Sequence, residues 1–173
     1  MGYLVKLYIR VAFLQSGPQD VPGHPFVLLL SLLGMLLTYV IASLSYFSVG
    51  EALARGVLDT AYLAAFTYIV LSLRDHKARF RQTFSALCGV SAVLNLCFWP
   101  VLTLSSGAEL GATSATLLGL TIYTFYVWSI AVGGHIFRHA LNFGWPGGIG
   151  VALLNLFIGI AIINAVFPPQ GGT

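Results

Sequence analysis

The chain opens on a short patterned segment and continues as five long apolar runs. In Tyr3 to Leu14, YLVKLYIRVAFL, the residues Leu4, Leu7, Tyr8, Val11 and Leu14 recur at helical spacing. Lys6 and Arg10 stand one turn apart on another face. The pattern predicts an amphipathic helix. A bilayer takes about 20 apolar residues to cross, so this segment is expected to lie in the interface, basic side towards the headgroups. A cleaved signal peptide would carry its charges ahead of the apolar core rather than within it. N-myristoylation would want Ser or Thr where Lys6 stands. Residues 15 to 25, QSGPQDVPGHP, read as a breaker that ends the helix and turns the chain into the bilayer.

The first apolar run, 26–48, holds no charge, and the second, 56–73, holds only Asp59. The third, 83–104, is uncharged but contains Asn95 and Pro100. The fourth, 112–137, carries Tyr123, Tyr126 and Trp128, and the fifth, 147–167, contains Asn155 and Asn164 before Pro168-Pro169. Barrel strands would alternate over segments of about ten residues, so the runs read as helices. The expected fold is an all-α integral membrane protein, five transmembrane helices preceded by an interfacial amphipathic helix. Its parts are residues 1–25, a transmembrane domain over 26–167 and a tail over 168–173.

Composition agrees. Of 173 residues, 8% are charged and 58% hydrophobic, against about 25% charged in an ordinary soluble domain. A soluble enzyme and a disordered chain are both excluded by that scarcity. The few charges then orient the bundle. With five spans, Lys6, Arg10, Arg74, Lys77, Arg79, Arg81 and Arg138 share one side, and Arg55 stands on the other with Glu51 and Glu109. Positive charge marks the cytoplasmic side, which puts the N-terminus inside and the C-terminus outside, as in a bacterial inner membrane. The net charge of +3 is therefore a topology signal and not a nucleic-acid signal.

Two constellations are candidates for chemistry. Counting about 1.5 Å per residue from the cytoplasmic side, Asp59 lies about 20 Å up and Asn95 about 18 Å, with Tyr123 and Thr124 near the same level. A polar intramembrane layer is one reading, for a protonatable site or for inter-helix hydrogen bonds. The other is that Asp59 sits near the start of its helix and offsets the helix dipole. Second, His135, Arg138 and His139 share a helical face. They suit an interface anchor or a contact for anionic headgroups or a partner. Zinc would need further ligands that the pair does not obviously find. The loop RDHKARFRQTF faces headgroups first, with docking of a cytosolic partner as the other reading of Arg74, Lys77, Arg79 and Arg81, although Phe80 between Arg79 and Arg81 resembles the start of a nucleic-acid patch. No GxSxG, Walker or HExxH pattern occurs, so no catalytic residue, metal or cofactor is assigned. Cys88 and Cys97 read as packing residues. Gly133-Gly134 and Gly147-Gly148 read as close helix packing and a helix start.

Two stretches, RFRQTFSALCGVSAVLNLCFWPVLTL and YVWSIAVGGHIFRHAL, resemble the third and fourth spans of the Yip (Ypt/Rab-interacting protein) superfamily in its small prokaryotic five-span branch. The resemblance implies a five-helix membrane domain associated with trafficking or membrane organisation, and it supplies no catalytic residues. The expected function is thus non-enzymatic: organising membrane or scaffolding other membrane proteins. Its partners would be anionic lipid headgroups and other membrane proteins or a second copy, with no nucleic acid. The alternative is a small transporter or channel subunit built on Asp59 and Asn95. A lipid-acting enzyme comes third, with only the histidine cluster to use.

Overall fold

The computed structural model describes residues 2–107 and 111–168; Glu109 and residues 169–173 of the expected tail lie outside them. The described residues form helices and two 3-10 turns, with no strand among them. The helices are α1 (Gly2–Ala12), α2 (Pro25–Ser43), α3 (Val49–Ser72), α4 (Phe80–Gly107), α5 (Ala112–Leu141) and α6 (Trp145–Val166); the turns are Pro18–Asp20 and Lys77–Arg79. The five helices α2 to α6 are long and apolar enough to cross a membrane.

Local chemistry explains the boundaries. Pro25 opens α2, where its missing N–H is no loss, and His24 Nδ1 accepts the N–H of Phe26 at 3.2 Å. In α3, Ser48 Oγ accepts the N–H of Glu51, and that acid lies in the first turn, where the helix dipole favours it. This corrects the reading of Asp59 as an acid near its own helix start. The second apolar run begins at Gly56, but the helix begins at Val49 and Asp59 stands about 15 Å along it. Glu51 and Arg55 pair at 2.8 Å one turn apart, so a segment that hydropathy alone rejects is still good helix. At the far end of α5, Asn142 takes the left-handed conformation (φ 56°), and the N–H of Phe143 returns to the carbonyl of Arg138 at 2.8 Å. Asn is one of the few residues that adopts this backbone readily.

α2 packs most extensively along α4 and α5 along α6, while α3 touches α2, α4 and α6. The glycines set the closest approach. A Cβ on Gly134 would stand 3.1 Å from the Cα of Ile149, and one on Gly148 would meet the carbonyl of Gly134 and the backbone N of Arg138. The buried core gathers at the end of the bundle that carries α1, with Phe84, Cys88, Val132, Ile136, Phe137 and Leu141 in it. Away from that end, Leu104, Leu117, Leu120 and Tyr123 stand on the outer surface.

The placement of α1 corrects a second expectation. Its apolar face is not left for lipid: Leu7, Tyr8, Val11 and Ala12 are buried against α4 and α5. Lys6 and Arg10 are exposed on the opposite side, together with Val5 and Ile9. Helix α1 docks because its aromatic residue finds room beside a glycine and its backbone finds hydrogen-bond donors. Tyr8 lies over Gly89 of α4, and its hydroxyl donates to Ser31 Oγ of α2 at 2.6 Å. Trp128 Nε1 donates to the carbonyl of Ala12 at 3.0 Å.

Candidate functional site

Several polar side chains converge where α1 enters the bundle, beside the α3–α4 and α5–α6 connections. Ser16 follows α1 and is buried; its carbonyl accepts from His135 Nε2 at 3.0 Å. That acceptor fixes a proton on Nε2. His135 Nδ1 is buried and finds no partner among the described residues. One turn on, the His139 ring stands edge-on to His135 at 4.7 Å, and its Nε2 accepts from Arg138 Nη2 at 3.2 Å. The Arg138 guanidinium lies over the Trp145 ring at 4.0 Å, the distance of a cation–π contact. The spacing of His135, Arg138 and His139 does bring the three side chains together. Both Nε2 atoms are engaged elsewhere, and no group of three His, Cys, Asp or Glu side chains gathers to hold a metal among the described residues.

Arg79 is the second organiser. Its Nη1 donates to the carbonyls of His139 (3.4 Å) and Ala140 (3.1 Å) and to Asn142 Oδ1 (3.1 Å). The last carbonyls of a helix have no partner within it, and a cation there also suits the dipole. Asn142 Nδ2 in turn donates to His76 Nε2 at 3.2 Å, which ties the two connections together. Arg74 stacks over Phe143 at 4.7 Å. Lys77 and Arg81 are exposed on the same end, as are Lys6 and Arg10. A cavity of about 280 Å³ opens among these elements, walled by Gln19, Arg79, Gln82, Thr83, His139 and Asn142.

The polar intramembrane layer is not assembled. Asn95 Nδ2 reaches Thr38 Oγ1 on α2 at 3.5 Å. Tyr123 is 69% exposed on the outside of α5, and Thr124 is exposed and donates to the carbonyl of Leu120 on its own helix. Asp59 is half-buried like Asn95, with Tyr39, Tyr62 and Cys88 in electrostatic range. Equal depth on three helices does not make these four residues neighbours; the rotation of each helix decides that. At the other end of the bundle, Arg55 stacks against Phe47 at 4.2 Å and Phe167 at 4.7 Å while it pairs with Glu51.

Sequence reasoning missed Ser16, Gln19, Gln82, Thr83 and Asn142, and it read Arg79 as a topology charge and a headgroup or partner contact, not as the cap of α5. Asn142 had a signal, since Asn just past a helical run is a common C-cap. The docking carbonyls of Ala12 and Ser16 had none, because any residue offers a carbonyl.

The geometry stands without relatives. No family model, no curated protein and no solved structure matches this chain.

Proposed function

We propose that this chain is a non-enzymatic integral membrane protein that organises membrane or scaffolds other membrane proteins from the cytoplasmic face of a bacterial inner membrane. The observation that carries the reading is the sorting of charge in the folded bundle. Five exposed cations, Lys6, Arg10, Arg74, Lys77 and Arg81, ring the end where α1 docks, while Arg55 at the far end is neutralised by Glu51. Positive charge on short connections favours the cytoplasmic side, where it meets anionic headgroups. The N-terminus and the α3–α4 and α5–α6 connections are then cytoplasmic, and α6 ends outside. With its apolar face already covered by protein, α1 acts as a fixed basic platform at the headgroups rather than as a reversible membrane anchor. The resemblance to the Yip superfamily, which rests on the sequence alone, points the same way. The test is a set of reporter fusions at His76, Asn142 and the end of the chain, combined with alkaline carbonate extraction. Cytoplasmic reporters at the first two sites, an external one at the last and retention in the membrane pellet are expected. Extraction into the soluble fraction, or the reverse orientation, would overturn the reading.

A further inference from the structure

The cavity beside Arg79 has a composition that the general role above does not explain. At about 280 Å³ it has room for a headgroup-sized polar ligand and not for acyl chains. It opens between the first turn of α4, the last turn of α5 and the Pro18–Asp20 turn. In the membrane reading that is the level of lipid phosphates. The Arg79 guanidinium is held in place by the three acceptors on Nη1, which leaves Nε and Nη2 without partners among the described residues. Arg79 also makes no ion pair among them. A half-buried, immobilised guanidinium with two donors unused is a pre-formed fork for phosphate oxygens. The side-chain amides of Gln19 and Gln82 and the hydroxyl of Thr83 complete the wall with neutral donors and acceptors.

We propose that this cavity binds one phosphodiester, its anionic oxygens on Arg79 and its hydroxyl- or ammonium-bearing end towards Gln19 and Gln82. The chemistry is that of a phosphoglycerol or phosphoethanolamine group, either as a lipid headgroup or as the soluble ester. A phosphocholine group fits it poorly, because a trimethylammonium has no N–H to donate. The proposal rests on the membrane reading for the level of the cavity, and it deepens that reading by naming the lipid class.

The test is native mass spectrometry of the full chain in mild detergent, titrated with phosphatidylglycerol, phosphatidylethanolamine and phosphatidylcholine of one chain length. A single glycerol or ethanolamine lipid should be retained at a concentration about tenfold below that needed for the choline lipid, a difference typical of one charge-assisted or specific polar contact. Arg79→Gln should weaken retention of all three lipids, because the phosphodiester it holds is common to them. Because Arg79 also caps α5, Gln82→Leu serves as a second variant that leaves the cap intact, and it should weaken retention several-fold with unchanged helicity. Competition by water-soluble glycerophosphoglycerol separates the sources: displacement supports a site open to the soluble ester, and its absence supports a lipid site. Equal retention of all three lipids, or full retention by folded Gln82→Leu and Arg79→Gln, would overturn the proposal. Those results leave the topology experiment untouched, so the failure of the lipid site and the failure of the membrane reading are told apart.

Discussion

The ring of Tyr8 lies over Gly89 so closely that a methyl group at Gly89 would stand 2.5 Å from its ring carbons. This contact fixes α1 on α4, and it explains why a segment patterned for a membrane surface is buried in protein. Burial also pushes the Tyr8 hydroxyl above its ordinary range, so it stays protonated and donates to Ser31. Gly89→Val should therefore cost about 1–3 kcal/mol of stability by overpacking. Tyr8→Phe should cost only about 1 kcal/mol, since Ser31 keeps its bond to the carbonyl of Val27. Thermal unfolding in detergent, with limited proteolysis reporting the release of α1, measures both. Equal stability of Gly89→Val and the parent would refute the docked position.

Gly148 and Gly150 form an internal control on α6. At Gly148 a Cβ meets the backbone of α5, which cannot rotate away; at Gly150 nothing lies within 4 Å. Gly148→Ala should destabilise by about 2 kcal/mol or more as the helices are forced apart. Gly150→Ala should be neutral or stabilising by up to about 1 kcal/mol, the helix-propensity gain of Ala over Gly. The ranking of the two melting temperatures decides the matter, and a reversed order would rule out this α5–α6 interface.

Two side chains on α5 hold the backbone that leaves α1. Trp128→Phe removes the donor to Ala12, and His135→Ala removes the donor to Ser16. Each leaves a carbonyl without its partner, at a cost of about 1–3 kcal/mol where water cannot replace it. Hydrogen exchange should show residues 8–17 opening sooner in both variants, while α2 and α4 keep their protection. Unchanged exchange there would mean that Tyr8 alone fastens α1.

The cysteines give a direct reading of the solvent around the bundle. Cys88 is buried, and Cys97 is exposed on the outside of α4. If lipid covers that surface, Cys97 reacts with a membrane-permeant maleimide and resists a charged, impermeant one in intact vesicles. Cys88 should resist both until the protein is denatured. Rapid labelling of Cys97 by the impermeant reagent in folded protein would show water on that face.

How much was legible in the sequence follows from which interactions are local. Continuous apolar runs announce helices that can cross a membrane, because a chain in lipid must satisfy its backbone within each segment. The charge pattern Lys6, Arg10, Arg74 to Arg81 and Arg138 was visible as a one-sided set, and the i, i+3, i+4 spacing already placed His135, Arg138 and His139 on one face. The start of α3 was not legible by hydropathy, since Glu51 and Arg55 interrupt the apolar signal while their pairing and the Ser48 cap support the helix. The layer around Asp59 failed because depth along a helix is a sequence property and rotation about its axis is not.

The sequence by itself therefore determined the helical class, the number of long apolar helices, the amphipathic first segment and the uneven sorting of charge, all set by spacing along one chain. Tertiary structure alone decided that α1 is packed into the bundle, that Arg79 caps α5, and that a polar cavity opens between residues far apart in the chain. The physical reason is that these features depend on which helix faces meet. That is settled by where glycines permit close approach and where unpaired carbonyls find donors, and neither is written in the periodicity of a single helix.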